Sequence, residues 1–261
     1  MAMFQKKTPL EKEWQFLNKK EEKYLEKRAQ KKDSKLNALL EEKVPAKMQS
    51  TLDAAFEKAF SAIFEKGTGI IEKTYQKEKR EKKYIVNNFA DEVEQSRRSL
   101  RKFSKEAQGA GNQNLLISGV SGIGMGIFGI GLPDIPLFTG MIFRSIYEIA
   151  LSYGYHYDTE EEQYFILKII EGAVSYGEAA KRINAEIDYF AADPYLPAGY
   201  DRKEQSKKAA GALSKELLYM KFLQGIPIVG AVGGAYDVIY MKNISEYAQL
   251  KYRKRFLLER R

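Results

Sequence analysis

The sequence predicts an all-α fold: a single helical domain in which two glycine-rich apolar segments pack centrally, with long charged helices at the N-terminal end. Apolar residues recur at intervals of three and four along most of the chain, the period of a helix face, and no stretch alternates as a half-buried strand would. With 261 residues, 44% of them hydrophobic, the chain can bury a sizeable core, and no fixed-period repeat divides it.

Residues 10–43 read as a charged helix whose apolar stripe, from Trp14, Leu17, Tyr24 and Leu25 to Leu36, Leu39 and Leu40, is discontinuous and needs a partner. Residues 1–43 are therefore set apart as a charged N-terminal helix, and 44–261 as the main helical domain. After Val44-Pro45, Leu52, Phe56, Phe60, Ile63 and Phe64 repeat at helical spacing up to Gly67, which marks a core helix. From Thr68 one long helical pattern runs to about Gln108 through Ile70, Ile71, Tyr75, Val86, Phe89, Val93, Leu100 and Phe103.

After Glu106 no charged residue occurs before Asp134, and glycines 119, 122, 124, 126, 129 and 131 crowd the interval. Pro133-Asp134-Ile135-Pro136 reads as a turn in which Asp134 caps an apolar helix that Gly154 ends. Thr159-Glu160-Glu161-Glu162 is a capping box, opening a helix that continues through Phe165, Ile169, Val174 and Ile183 toward Phe190. Pro194, Pro197 and Gly199 break that pattern. A helix from about Arg202 to Phe222 leads into the second glycine-rich segment, Ile226 to Gly234, and a basic helix from about Asn243 to Arg261 closes the chain.

The net charge of +8 is confined to one half: residues 1–108 hold 26 Lys and Arg against 18 Asp and Glu, while the remainder balances at 17 and 17. Such a half favours an anionic partner, whether phospholipid headgroups, nucleic acid or an acidic protein surface. Nucleic acid is disfavoured because the basic residues between 11 and 83 are interleaved with glutamates and no nucleic-acid motif is present. The chain has no cysteine, which excludes disulfides and thiol chemistry, and its one histidine, His156, leaves a metal site to carboxylates alone. The N-terminal residues Lys6, Lys7, Glu11, Lys12 and Glu13, with no long apolar run, do not form a secretory signal.

Gly124-Met125-Gly126-Ile127-Phe128-Gly129 has the spacing of a dinucleotide loop, and the apolar Leu115 to Val120 before it could pass for a strand, but no βαβ unit follows and Pro133 interrupts the helix a pyrophosphate would need, so no cofactor is implied. Gly122 with Gly126, and Gly230 with Gly234, leave one helix face bare and let another backbone approach. The first segment is long enough to span a bilayer but is diluted by Asn112, Gln113 and Asn114, and the second is short and carries Pro227. Both are expected in a buried or re-entrant hairpin. Arg97, Arg98, Arg101, Lys102 and Lys105 share a helix face directly before the first segment, where anionic headgroups would meet them. Lys251, Arg253, Lys254 and Arg255 are expected to add a second basic patch. Asp134, Arg144 and Glu148 are the candidate pocket residues for an enzyme acting on a lipid-like substrate. Asp134 also suits a cap, and Arg144 and Glu148 are four apart and can simply pair, so no catalytic residue is assigned.

The glycine-rich run, Leu132-Pro133-Asp134-Ile135-Pro136, Arg144, Glu148-Ile149-Ala150 and Tyr153-Gly154 together resemble the central signature of the EcsC family, and Ile226 to Gly234 is similar to its C-terminal glycine motif. Tyr236 and Asp237 depart from the family, which often has an asparagine there. The resemblance implies a membrane neighbourhood, since the family's namesake is encoded beside the subunits of an ABC transporter, and it implies no reaction. The expectation is a non-enzymatic accessory protein on the cytoplasmic side of the cell membrane, with an anionic membrane surface and ABC transporter subunits as partners.

Overall fold

In a computed structural model, residues 7–29, 46–65, 68–120, 134–223 and 235–261 are described. Their secondary structure is entirely helical, and they form one all-α domain. Gly122, Gly126, Gly230 and Gly234 lie outside the described residues, and with them the expected central packing of the two glycine-rich segments.

Helix α1 (Pro9–Ala29) starts at a reciprocal cap: Glu11 N–H donates to Thr8 Oγ1 at 3.1 Å and Thr8 N–H to Glu11 Oε2 at 2.8 Å. Its buried face is Glu13, Leu17, Glu21, Tyr24 and Arg28, a stripe at helical spacing that mixes apolar and charged residues. Helix α2 (Ala46–Glu65) buries the expected Leu52, Phe56, Phe60 and Ile63, and Phe60 meets Phe143 edge-on at 5.3 Å.

The long helix expected from Thr68 to Gln108 is instead a single turn, α3 (Gly69–Glu72), followed by a hairpin of α4 (Lys77–Glu94) and α5 (Arg97–Val120). The break has a local cause. Gln95 takes a left-handed backbone with φ of 43°, and Ser96 and Ser99 exchange N–H to Oγ hydrogen bonds of 3.1 Å that restart the helix.

Helix α6 (Asp134–Ser152) takes Asp134 as its first residue rather than as the cap before it, and ends ahead of Gly154, whose φ of 87° suits only glycine. A Cβ there would also run into the ring of Tyr84. Helix α7 (Glu160–Val174) begins at the predicted capping box, where Glu162 N–H donates to Thr159 Oγ1 at 3.2 Å. It does not continue to Phe190. Ser175 and Tyr176 are extended and Gly177 has φ of 60°, which starts a separate helix, α8 (Gly177–Ala192). Helix α9 (Arg202–Leu223) packs on α2 and α7.

The last helix, α10 (Ala235–Leu258), is the axis of the fold and touches α1, α5, α6, α7 and α8. Tyr240, Met241, Ile244, Tyr247, Ala248, Tyr252, Phe256 and Leu257 are all buried on it, so its apolar residues cover most of the helix and leave only a strip of Lys242, Glu246 and Gln249 outward. Among the described residues no helix is long and apolar enough to cross a membrane.

Candidate functional site: the outer face of the α4–α5 hairpin

The expected second basic patch on α10 is a correction. Lys251 is 0% exposed and its Nζ lies between Glu21 and Asp188, the latter at 2.7 Å. Lys254 bonds the same two carboxylates at 2.7 Å each, Arg253 pairs with Glu13, and Arg255 pairs with Glu162 at 2.6 Å. These cations are drawn inward because α1 and α7 present buried carboxylates and α8 a half-buried one, and a buried cation persists only where such partners meet it.

The five cations of α5 are placed differently. Arg98, Arg101 and Lys105 are exposed, Arg97 and Lys102 partly so. Arg97 and Arg101 each donate through Nε to Glu13 Oε1, at 2.7 and 2.9 Å, which ties α5 to α1. Glu13 is also the partner of Arg253, so three guanidiniums share one carboxylate and the region keeps a positive surplus. Lys102 sits 3.8 Å from Glu94 across the hairpin. Arg98 and Lys105 have no carboxylate partner among the described residues.

Beside them α4 buries none of its residues. Ile85, Val86, Phe89 and Val93 are 63, 66, 68 and 70% exposed, an apolar row at helical spacing on the outward side. The inward side carries Arg80, which reaches Glu148, and Tyr84, which packs on Phe103. Glu94–Lys102 and a 2.8 Å pair between Lys83 and Glu106 hold α4 against α5, so the apolar row and the cations lie side by side on the outer surface of one hairpin. Val86, Phe89 and Val93 are apolar helix positions in the sequence, and the structure turns all three outward. The spacing of three and four between these apolar residues is legible, but nothing in it says which side of the helix meets the core.

Arg144 and Glu148 do meet at a cavity. A cleft of about 600 Å³ opens between the start of α4, the middle of α5 and α6, lined by Tyr75, Lys79, Arg80, Lys105, Arg144 and Glu148 among others. Glu148 is nearly inaccessible and is held by Arg80 at 3.2 Å, with Arg144 Nε at 3.7 Å. A carboxylate held between two guanidiniums anchors both of them. Asp134 opens the same helix about 15 Å along its axis from Arg144, and its side chain lies outside the described residues. His156 is exposed in the loop after α6, its Nδ1 3.9 Å from Glu81. Among the described residues no group of three or more His, Asp or Glu is placed to hold a metal ion.

One wall of the cleft is stiffened by a tyrosine pair. Tyr75 and Tyr157 share a 2.5 Å hydrogen bond, and Tyr157 OH also donates to Glu72 at 2.8 Å. Burial pushes the Glu72 carboxyl up, but hydrogen bonds from Lys77, Tyr157 and Thr68 outweigh it and hold the group below its ordinary value.

The geometry coincides with a match to a known family across nearly the whole chain: the model of the EcsC protein family fits residues 11–257. The chain belongs to the EcsC protein family. Among relatives, it is 24% identical over 190 residues to the uncharacterized protein YdbA of Bacillus subtilis (strain 168), covering 68% of this chain and 70% of that protein. No solved structure matches. The EcsC match reaches every helix described above, from the third residue of α1 to the last but one of α10, and includes the whole α4–α5 hairpin.

Proposed function

We propose that this EcsC protein is a non-enzymatic accessory protein that lies peripherally on an anionic membrane surface, on the cytoplasmic side, with the α4–α5 hairpin as its contact. The observation that carries this reading is the exposed apolar row of Ile85, Val86, Phe89 and Val93 beside the exposed cations of α5. An in-plane amphipathic helix buries such a row at the headgroup boundary while neighbouring cations meet anionic lipid, each cation contributing about 1 kcal/mol. Association with an ABC-type transporter or a secretion process rests on the family resemblance alone.

The test is sedimentation with vesicles of graded anionic lipid content. The variant Arg98→Gln/Lys102→Gln/Lys105→Gln leaves the partners of Glu13 in place and should bind at least about thirtyfold more weakly. Phe89→Ser/Val93→Ser should lose the binding that survives high salt. Absence of wild-type binding at every composition overturns the reading, and displacement from vesicles by duplex DNA at constant ionic strength would assign the basic face to nucleic acid instead.

A further inference from the structure

The cleft behind the hairpin carries more cation than its own carboxylates use. Lys79, Arg80, Lys83, Lys105 and Arg144 line it against Glu106 and Glu148, an excess of three positive charges. Both carboxylates are already engaged, Glu106 by Lys83 and Glu148 by Arg80 and Arg144. Lys79 and Lys105 have no carboxylate partner among the described residues, and Arg144 Nε is buried without a hydrogen-bond acceptor there. A protein seldom gathers like charges from three helices around a cavity unless something anionic completes them, because each raises the cost of the others.

We propose that this cleft binds the phosphate group of a phosphomonoester, carried either on a lipid headgroup or on a small soluble molecule. The donors approach from α4, α5 and α6, so they ask for an anion with acceptors pointing in several directions. A terminal phosphate offers three oxygens and close to two negative charges at neutral pH, whereas a carboxylate offers two oxygens and one charge. Lysine is suited to it as a mobile point charge and arginine as a planar donor. A second groove shares Tyr75, Gln76, Lys79, Lys83 and Glu106 with the cleft and continues past Lys82 and Val86. It gives the remainder of such a ligand a path toward the apolar row.

The site deepens the membrane reading if the phosphate is a headgroup and stands without it if the phosphate is soluble. The experiment is therefore calorimetric titration of the full chain with glycerol 3-phosphate, alongside sedimentation with phosphatidic acid or phosphatidylglycerol vesicles at matched charge. The expected result is saturable binding of the monoester with preference for phosphatidic acid over phosphatidylglycerol. Lys79→Gln should weaken it about fivefold and Arg144→Gln at least as much. Lys79 is exposed, so its variant keeps the test valid if Arg144→Gln misfolds. Heat with glycerol 3-phosphate assigns a soluble source, and binding only on phosphatidic acid vesicles assigns a headgroup. No saturable binding in either arm, or affinity unchanged in Lys79→Gln, overturns the proposal. Equal binding to the two vesicles, insensitive to Lys79→Gln, would overturn it while leaving the membrane reading intact.

Discussion

Two Lys/Arg-rich stretches of this EcsC protein look alike as text and are opposite in structure. On α10, Lys251, Arg253, Lys254 and Arg255 are withdrawn among Glu13, Glu21, Glu162 and Asp188, while on α5 Arg98, Arg101 and Lys105 face outward. The difference comes from what surrounds each cation. On α10 buried apolar residues take up most of the circumference, leaving a strip of Lys242, Glu246 and Gln249 to water, so the cations of its last turns are largely buried and need partners. On α5 apolar residues occupy one side, with Leu100, Phe103 and Ala107 inward, so the charges opposite them are free to stay in water. A basic run therefore marks a surface only when its helix has a polar side to offer.

The largest expected effect separates the two regions by stability. Removing one member of a buried ion group leaves an uncompensated charge, a loss of about 3–5 kcal/mol. Glu13 is 0% exposed and joins Arg253 to Arg97 and Arg101. Glu13→Ala should lower the melting temperature by about 10 °C for a chain of this size, read by circular dichroism. A decrease no greater than that of Arg98→Gln would erase the distinction between seam and surface.

Much of the architecture was legible because it depends on local chemistry: the Thr159 capping box, the stop at Gly154 and the aromatic face of α2 each act within a few residues. The hairpin was missed because its turn depends on Gln95, a residue with no strong turn preference, although Ser96 three residues before Ser99 is a fair helix start. The seam was missed because its carboxylates come from positions far along the chain: Glu13 and Glu21 lie more than 200 residues from their partners on α10, and sequence spacing reports only neighbours within a turn or two. Of the candidate site, Arg144 and Glu148 were found through their i, i+4 relation, whereas Lys79, Arg80 and Lys83 join them only when α4 folds back on α6.

A pH titration sharpens the same contrast with a smaller effect. Burial pulls the Lys254 ammonium down, but Asp188 and Glu21 outweigh it and hold the group above its ordinary value. Lys168 is raised likewise, by Glu186 and Glu171 against burial. Burial also pushes Tyr24, on α1 beside the seam, up to about 12. All three retain protons in the folded chain that the unfolded chain has released, so their stabilisation is complete below about pH 10 and is lost as pH rises through the raised values. The loss for Tyr24 alone is of order 2 kcal/mol. Melting temperature should hold level from pH 7 to 9 and fall above 10, with tyrosinate absorbance from this ring appearing only on unfolding. A level profile to pH 11 would mean that the seam is open to water.

The smallest effect is expected where the charges face outward. Arg98→Gln removes a cation with no carboxylate partner among the described residues, so stability should change by no more than about 0.5 kcal/mol. Vesicle binding should nonetheless weaken about fivefold, the share of one cation near an anionic surface. The two readouts must diverge for this residue and coincide for Glu13, whose replacement reaches the membrane only through the fold. If Arg98→Gln lost stability and vesicle binding in proportion, the α5 cations would be holding the structure together, and the hairpin's contact would have to rest on the apolar row of α4.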